Sequence, residues 1–151
     1  MKQLFSTLVV TLLMFCGCAA KIEHVHLKNL SEIDLVGKWN FKYEGFYSYA
    51  VKRYSGKGTI EIENNNNKLT GKAITPSMKY GDVITDLAIS VSGNGTILLK
   101  GSNARSRNGK TLGNWKPDSY EIFYNNNPSE MILIQTDDYG NRAKGTLIKI
   151  K

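Results

Sequence analysis

The stretch "TDLAISVSGNGTILLKG", residues 85–101, decides the fold class. Leu87, Ile89 and Val91 recur at every second position and run into Gly93, Asn94 and Gly95; Ile97 and Leu99 then answer them on the return. Period-two spacing puts such side chains on one side of an extended chain. Glycine and asparagine take the left-handed conformers that reverse it within a tight turn. The segment predicts a β-hairpin with one apolar face.

The same device recurs on both sides. Upstream, Leu35, Gly37, Trp39, Phe41 and Tyr43 alternate with Val36, Lys38, Asn40, Lys42 and Glu44, which reads as a long first strand. "GTIEIE" (58–63) and "KLTGKAI" (68–74) form a second pair, with Asn64 to Asn67 as the turn. Downstream, Tyr120–Tyr124, Met131–Thr136 and Lys144–Ile150 are strands separated by Asn/Pro and Asp/Gly/Asn turns. Before the first strand, "NLSEIDLVG" predicts one short helical turn capped by Asn29 or Ser31 and stopped at Gly37. The expected fold is all-β: a single antiparallel up-and-down barrel of eight or nine strands, which removes its edges by closing.

A chain of 151 residues with 41% hydrophobic content has room for one such domain. Its N-terminus has a different layout. Lys2 precedes the apolar run Leu4–Phe15, followed by the small residues Gly17, Ala19 and Ala20, as in an export signal. The run is shorter than the roughly 20 apolar residues that span a bilayer. The only two cysteines, Cys16 and Cys18, close it. "FCGC", Phe15 to Cys18, resembles the lipobox of bacterial lipoproteins, in which a small residue precedes the cysteine that is acylated and becomes the mature N-terminus. Gly17 makes Cys18 that residue, whereas bulky Phe15 stands before Cys16. The alternative is ordinary cleavage after Ala20, releasing a soluble protein.

Either reading leaves the mature chain without a free thiol, so no disulfide framework, Cys-based zinc site or redox pair is expected. The resemblance implies a signal peptide over 1–17, a lipidated N-terminus and tether over 18–30, and a barrel domain over 31–151. It also implies a palmitate-type lipid anchor in the cell envelope. With Ala19 in place of an aspartate after the cysteine, outer-membrane sorting is implied.

"DLVGKWNF", Asp34 to Phe41, resembles the Gly-x-Trp opening of lipocalins and the wider calycin group through Gly37 and Trp39. That likeness implies a tryptophan plugging the closed end of an eight-stranded barrel, and an interior or rim that holds a small apolar ligand. The chain is shorter than a lipocalin and lacks the long C-terminal helix; in length it is nearer to avidin-like and lysozyme-inhibitor-like barrels. "YEGFYSYAVKRY" supplies Tyr43, Phe46, Tyr47, Tyr49 and Tyr54 around the first hairpin. Such rings line or rim a barrel mouth and stack on planar ligands. Trp39, Tyr43, Tyr47 and Tyr49 are the candidate ligand residues, and a cavity behind the Tyr43 to Tyr54 region is the expectation that goes with this reading.

Other motifs point elsewhere or nowhere. "ARSRNGKT" (104–111) matches a loose phosphate-loop pattern, yet it follows an antiparallel hairpin and runs into Gly113 and Pro117 where a helix is required. Its charge is more informative. Arg105, Arg107 and Lys110 form a basic surface loop, with no acid between Lys100 and Lys116, in a chain of net charge +7. Such a loop suits anionic headgroups or an acidic protein. His24 and His26 have metal-binding spacing but no companion ligands in sequence, and Asp137 and Asp138 sit in a turn signal. No metal, cofactor or nucleic acid is expected. Neither histidine lies in the domain and no Gly-x-Ser-x-Gly turn occurs, so a binding protein rather than an enzyme is expected. The second reading is an envelope interaction module with no small ligand, such as a lysozyme inhibitor, a secretion pilot or an exclusion factor.

Overall fold

Period-two alternation organises nearly the whole domain. A computed structural model describes residues 35–47, 52–92, 95–127, 129–137 and 139–151. Eight strands follow in chain order: β1 Gly37–Tyr47, β2 Lys52–Asn65, β3 Lys68–Ser77, β4 Gly81–Val91, β5 Ile97–Ser106, β6 Ser119–Asn127, β7 Glu130–Thr136 and β8 Arg142–Lys149. Each pairs antiparallel with its sequence neighbour, and β8 returns to β1 through Trp39↔Lys149 to Gly45↔Ala143. The sheet is thus a closed up-and-down barrel of eight strands. The helical turn expected over 29–37 lies largely outside the described residues; Leu35 and Val36 have no regular structure. The signal, Cys18 and the two histidines also lie outside them.

Two turns show how local chemistry sets the register. Of the four asparagines, Asn64 and Asn65 belong to β2; Asn66 and Asn67 make the turn, with φ of 53° and 64°. Two successive left-handed residues form the mirror-image turn whose twist suits a hairpin. The 92–96 reversal closes with the Ser92 amide donating to the Thr96 carbonyl at 2.9 Å, and Gly95 has φ of 81°.

The inward faces fill one end of the barrel. Trp39 is 0% exposed, and its Nε1–H donates to the Leu35 carbonyl at 2.9 Å, satisfying the one polar atom of the ring. Lys149 closes over it from β8, its Nζ 5.3 Å from the ring centroid. Around Trp39 pack Ile60, Ile62, Ile122, Met131, Leu133 and Leu147, all buried. Burying each such aliphatic side chain contributes about 1.5–3 kcal/mol. Outward positions of β1, β2 and β3 carry Lys38, Asn40, Glu61 and Lys72, and Glu61 bridges Lys38 (3.1 Å) and Lys72 (2.8 Å).

Glycines at inward positions admit the aromatic rings. Phe41 faces Gly58 and Tyr43 faces Gly56 across β1 and β2. A Cβ on Gly58 would lie 2.8 Å from the Phe41 ring, and one on Gly56 would lie 2.9 Å from Tyr43 Cε1. The rings therefore lie flat on bare backbone, a device that lets a small barrel coil tightly around large side chains.

Candidate functional site

The strand ends opposite Trp39 form an open mouth, and its construction begins with a short ladder. β5 pairs with β6 only from Ile97↔Ile122 to Lys100↔Ser119. Beyond it β5 carries a bulge, where the register slips between Ile84 and Asp86 and Asn103 takes φ of 49°. The bulge bends the strand away from its neighbour. β5 then folds back on itself, with Thr111 bridged to Arg105 and the Leu112 amide donating to the Ala104 carbonyl at 2.9 Å. The returning segment brings Trp115 and Asp118 to the gap.

There a cavity of ≈ 900 Å³ opens, lined among others by Tyr43, Tyr54, Thr75, Trp115, Asp118 and Gln135. Polar groups converge on it in pairs. The Tyr43 hydroxyl donates to Asp118 Oδ2 at 3.4 Å, and the Tyr54 hydroxyl donates to Gln135 Oε1 at 3.2 Å. The Tyr43 and Tyr54 rings meet edge to face at 6.2 Å, and Tyr43 stacks on Phe41 at 6.0 Å. Beneath them Tyr120 is buried; that burial first, then the negative charge of Asp118, pushes its hydroxyl well above the usual tyrosine range, with a hydrogen bond to Thr75 acting in the opposite direction. Tyr120 therefore keeps its proton at physiological pH. The site offers aromatic faces, hydroxyls, an amide and a carboxylate, which is the equipment for orienting a small planar ligand.

The candidates read from the sequence separate in space. Tyr43 stands in the wall of the cavity. Tyr47 ends β1 as backbone, and Tyr49 lies outside the described residues. Trp39 is sealed in the opposite end of the barrel. Arg105 and Arg107 meet acids from the neighbouring strand, at 2.7 Å to Asp86 and 3.6 Å to Asp82, while Lys110 is exposed at the hairpin tip. "ARSRNGKT" is thus a strand and a hairpin, with Gly109 at φ 84°. Asp137 holds its own turn, accepting from the Tyr139 and Asn141 amides at 3.0 and 2.8 Å; Asp138 lies outside the described residues. Among the described residues no group of His, Cys, Asp and Glu could hold a metal ion.

Sequence reasoning passed over Thr75, Asp118, Tyr120 and Gln135. A signal for Gln135 existed: Met131, Leu133 and Gln135 share one parity on β7, and the apolar series ends in an amide at the mouth. Thr75 follows Ala73 on β3 in the same way. A polar residue at inward parity near one common end marks the mouth of such a barrel.

No protein-family model matches the chain, and no curated protein matches it in sequence. Among solved structures it is similar to a de novo designed fluorescence-activating β-barrel, at a TM-score of 0.50 and 15% identity over 76% of this chain and 93% of that one. At that identity the likeness speaks for the eight-stranded barrel alone.

Proposed function

We propose that the protein is a lipid-anchored barrel of the cell envelope that holds a small, planar, largely apolar ligand in its open mouth. The observation that carries the reading is the cavity of ≈ 900 Å³ framed by Tyr43, Tyr54 and Trp115, with Asp118 and Gln135 among them. The deep interior is filled by Trp39, Ile60 and Leu133, so the ligand is a compact one seated against the tyrosines rather than a long chain threaded through the barrel. The anchor is inferred from the apolar run ending at Gly17 and Cys18, and the outer membrane from Ala19. The role proposed is binding, not catalysis.

The test is intrinsic fluorescence and thermal midpoint of the full chain in detergent across fatty acids, lipids and aromatic compounds. A hit is expected to weaken at least about tenfold in Trp115→Ala, and no response from any compound overturns the reading. Mass spectrometry of the mature N-terminus checks the anchor: an acylated Cys18 is expected, and an intact residue 1 rejects it.

A second reading, docking of an envelope protein at the mouth, is favoured by Met78 (109% exposed) and Tyr139 (76%), which stand on the β3–β4 and β7–β8 turns of that end. Cross-linking from Tyr139 in cells should then capture one partner, and recovery of monomer alone counts against it.

A further inference from the structure

On the outer wall, at the lip of the mouth cavity whose lining they share, Lys42 of β1 lies directly across from Lys57 of β2. Like charges opposite one another in a sheet destabilise it. Their neighbourhood does not relieve the repulsion. On the same face Glu44 lies opposite Lys144 and is paired with Arg53, leaving one carboxylate among four cations. Among the described residues Lys42 and Lys57 enter no ion pair, while carboxylates elsewhere on the wall do, Glu61 with Lys38 and Lys72, and Glu121 with Arg142.

The two lysines also border a groove of ≈ 400 Å³ that includes Pro76, Thr146 and Ile148. Thr146 lies opposite Lys42 on β8, and its Oγ1 is covered and has no hydrogen-bond partner. Ile148 is 44% exposed at the groove's edge. Two facing ammonium groups and an apolar border together suit an amphipathic anion.

We propose that this groove holds the phosphate headgroup of an anionic lipid between Lys42 and Lys57, with the glycerol and first methylenes against Pro76 and Ile148. The charge complement selects the phosphate, and the apolar border selects a lipid over a free ion. A bound headgroup supplies the negative charge that the Lys42/Lys57 pair lacks, so the cost to the sheet is offset only at a membrane surface. The groove adjoins the mouth and shares Lys42, Lys57, Pro76 and Thr146 with its lining, so the test reads the lysines themselves rather than the tyrosine and tryptophan fluorescence that reports the mouth ligand.

The experiment places the full chain in vesicles of phosphatidylcholine, with or without one third phosphatidylglycerol, and follows amine modification of each lysine by mass spectrometry. Anionic vesicles are expected to slow modification of Lys42 and Lys57 by about fivefold each, in keeping with the attraction of a lysine to such a surface. Lys38 and Lys72, held by Glu61 on the same wall, should not change. Lys144, which lines the adjoining opening, should also be slowed in the wild type and should lose that protection in a Lys42→Thr, Lys57→Thr variant, whose thermal midpoint should rise as the repulsion is removed. Equal reactivity of Lys42 and Lys57 in the two vesicle types overturns the proposal, as does uniform protection that includes Lys38. Protection in neutral vesicles on adding inorganic phosphate also overturns it, because the site would then take the free ion.

Discussion

The two ends of the barrel are built from the same strands and differ in what alternate positions carry. At the closed end the inward series reads Trp39, Ile60, Ile62, Leu133 and Leu147, and each polar requirement is met locally, as when Leu35 accepts from the indole. At the mouth the same series continues as Tyr43, Tyr54, Thr75 and Gln135, polar atoms that find each other across the opening. One end is a core and the other is an opening lined by polar atoms. The difference teaches that an up-and-down barrel can store its stability at one end, which frees the other for recognition.

If that division is real, substitutions should be graded along the barrel axis. Trp39→Ala should cost about 3–5 kcal/mol in urea unfolding, because a fully buried ring leaves a large cavity. Trp115→Ala, at the rim, should cost under about 1 kcal/mol; equal losses at both sites would dissolve the distinction. Next in size is Gly145→Ala, whose new Cβ would collide with the Lys42 carbonyl and lie 2.7 Å from Tyr43 Cα. A loss of about 2–3 kcal/mol is expected, and a wild-type midpoint would mean that β1 and β8 are not packed this closely.

Tyr54→Phe removes the bond to buried Gln135 and should cost about 1 kcal/mol, with a larger effect on ligand affinity than on folding if the mouth is the site. Tyr120 makes a prediction in pH. In the fold it keeps its proton above the value near 10 at which an unfolded tyrosine loses it. Its contribution is therefore complete below that pH and is lost as the pH rises beyond it. Tyr120→Phe should flatten the alkaline decline of stability, and an unchanged decline would place the hydroxyl in water. Smallest of all, Lys110→Ala should stay within about 0.5 kcal/mol of wild type by thermal unfolding.

Much of this division was written in local pattern. The hairpins at 64–69 and 91–97, the inward parity of Trp39, Phe41 and Tyr43, and the strand character of β6 to β8 all followed from residues a few positions apart. Charge was less legible. Arg105 and Arg107 look like part of an acid-free loop along the chain, yet Asp82 and Asp86 arrive from β4 to pair with them. The unrelieved charge is on β1 and β2 instead, where Lys42 and Lys57 are remote in sequence and adjacent across the ladder. Trp39 and Tyr43 read alike as candidate ligand residues because alternation gives the face of a strand and not the height along the barrel.

By itself the sequence determined the period of two, the turns that reverse it and therefore the antiparallel order of the strands, since these depend on backbone geometry over short spans. Which end is plugged, where β5 leaves β6, and which lysines face one another were decided only when the barrel closed. Those outcomes depend on the register between segments distant in the chain, where a one-residue slip would move every side chain to the opposite face.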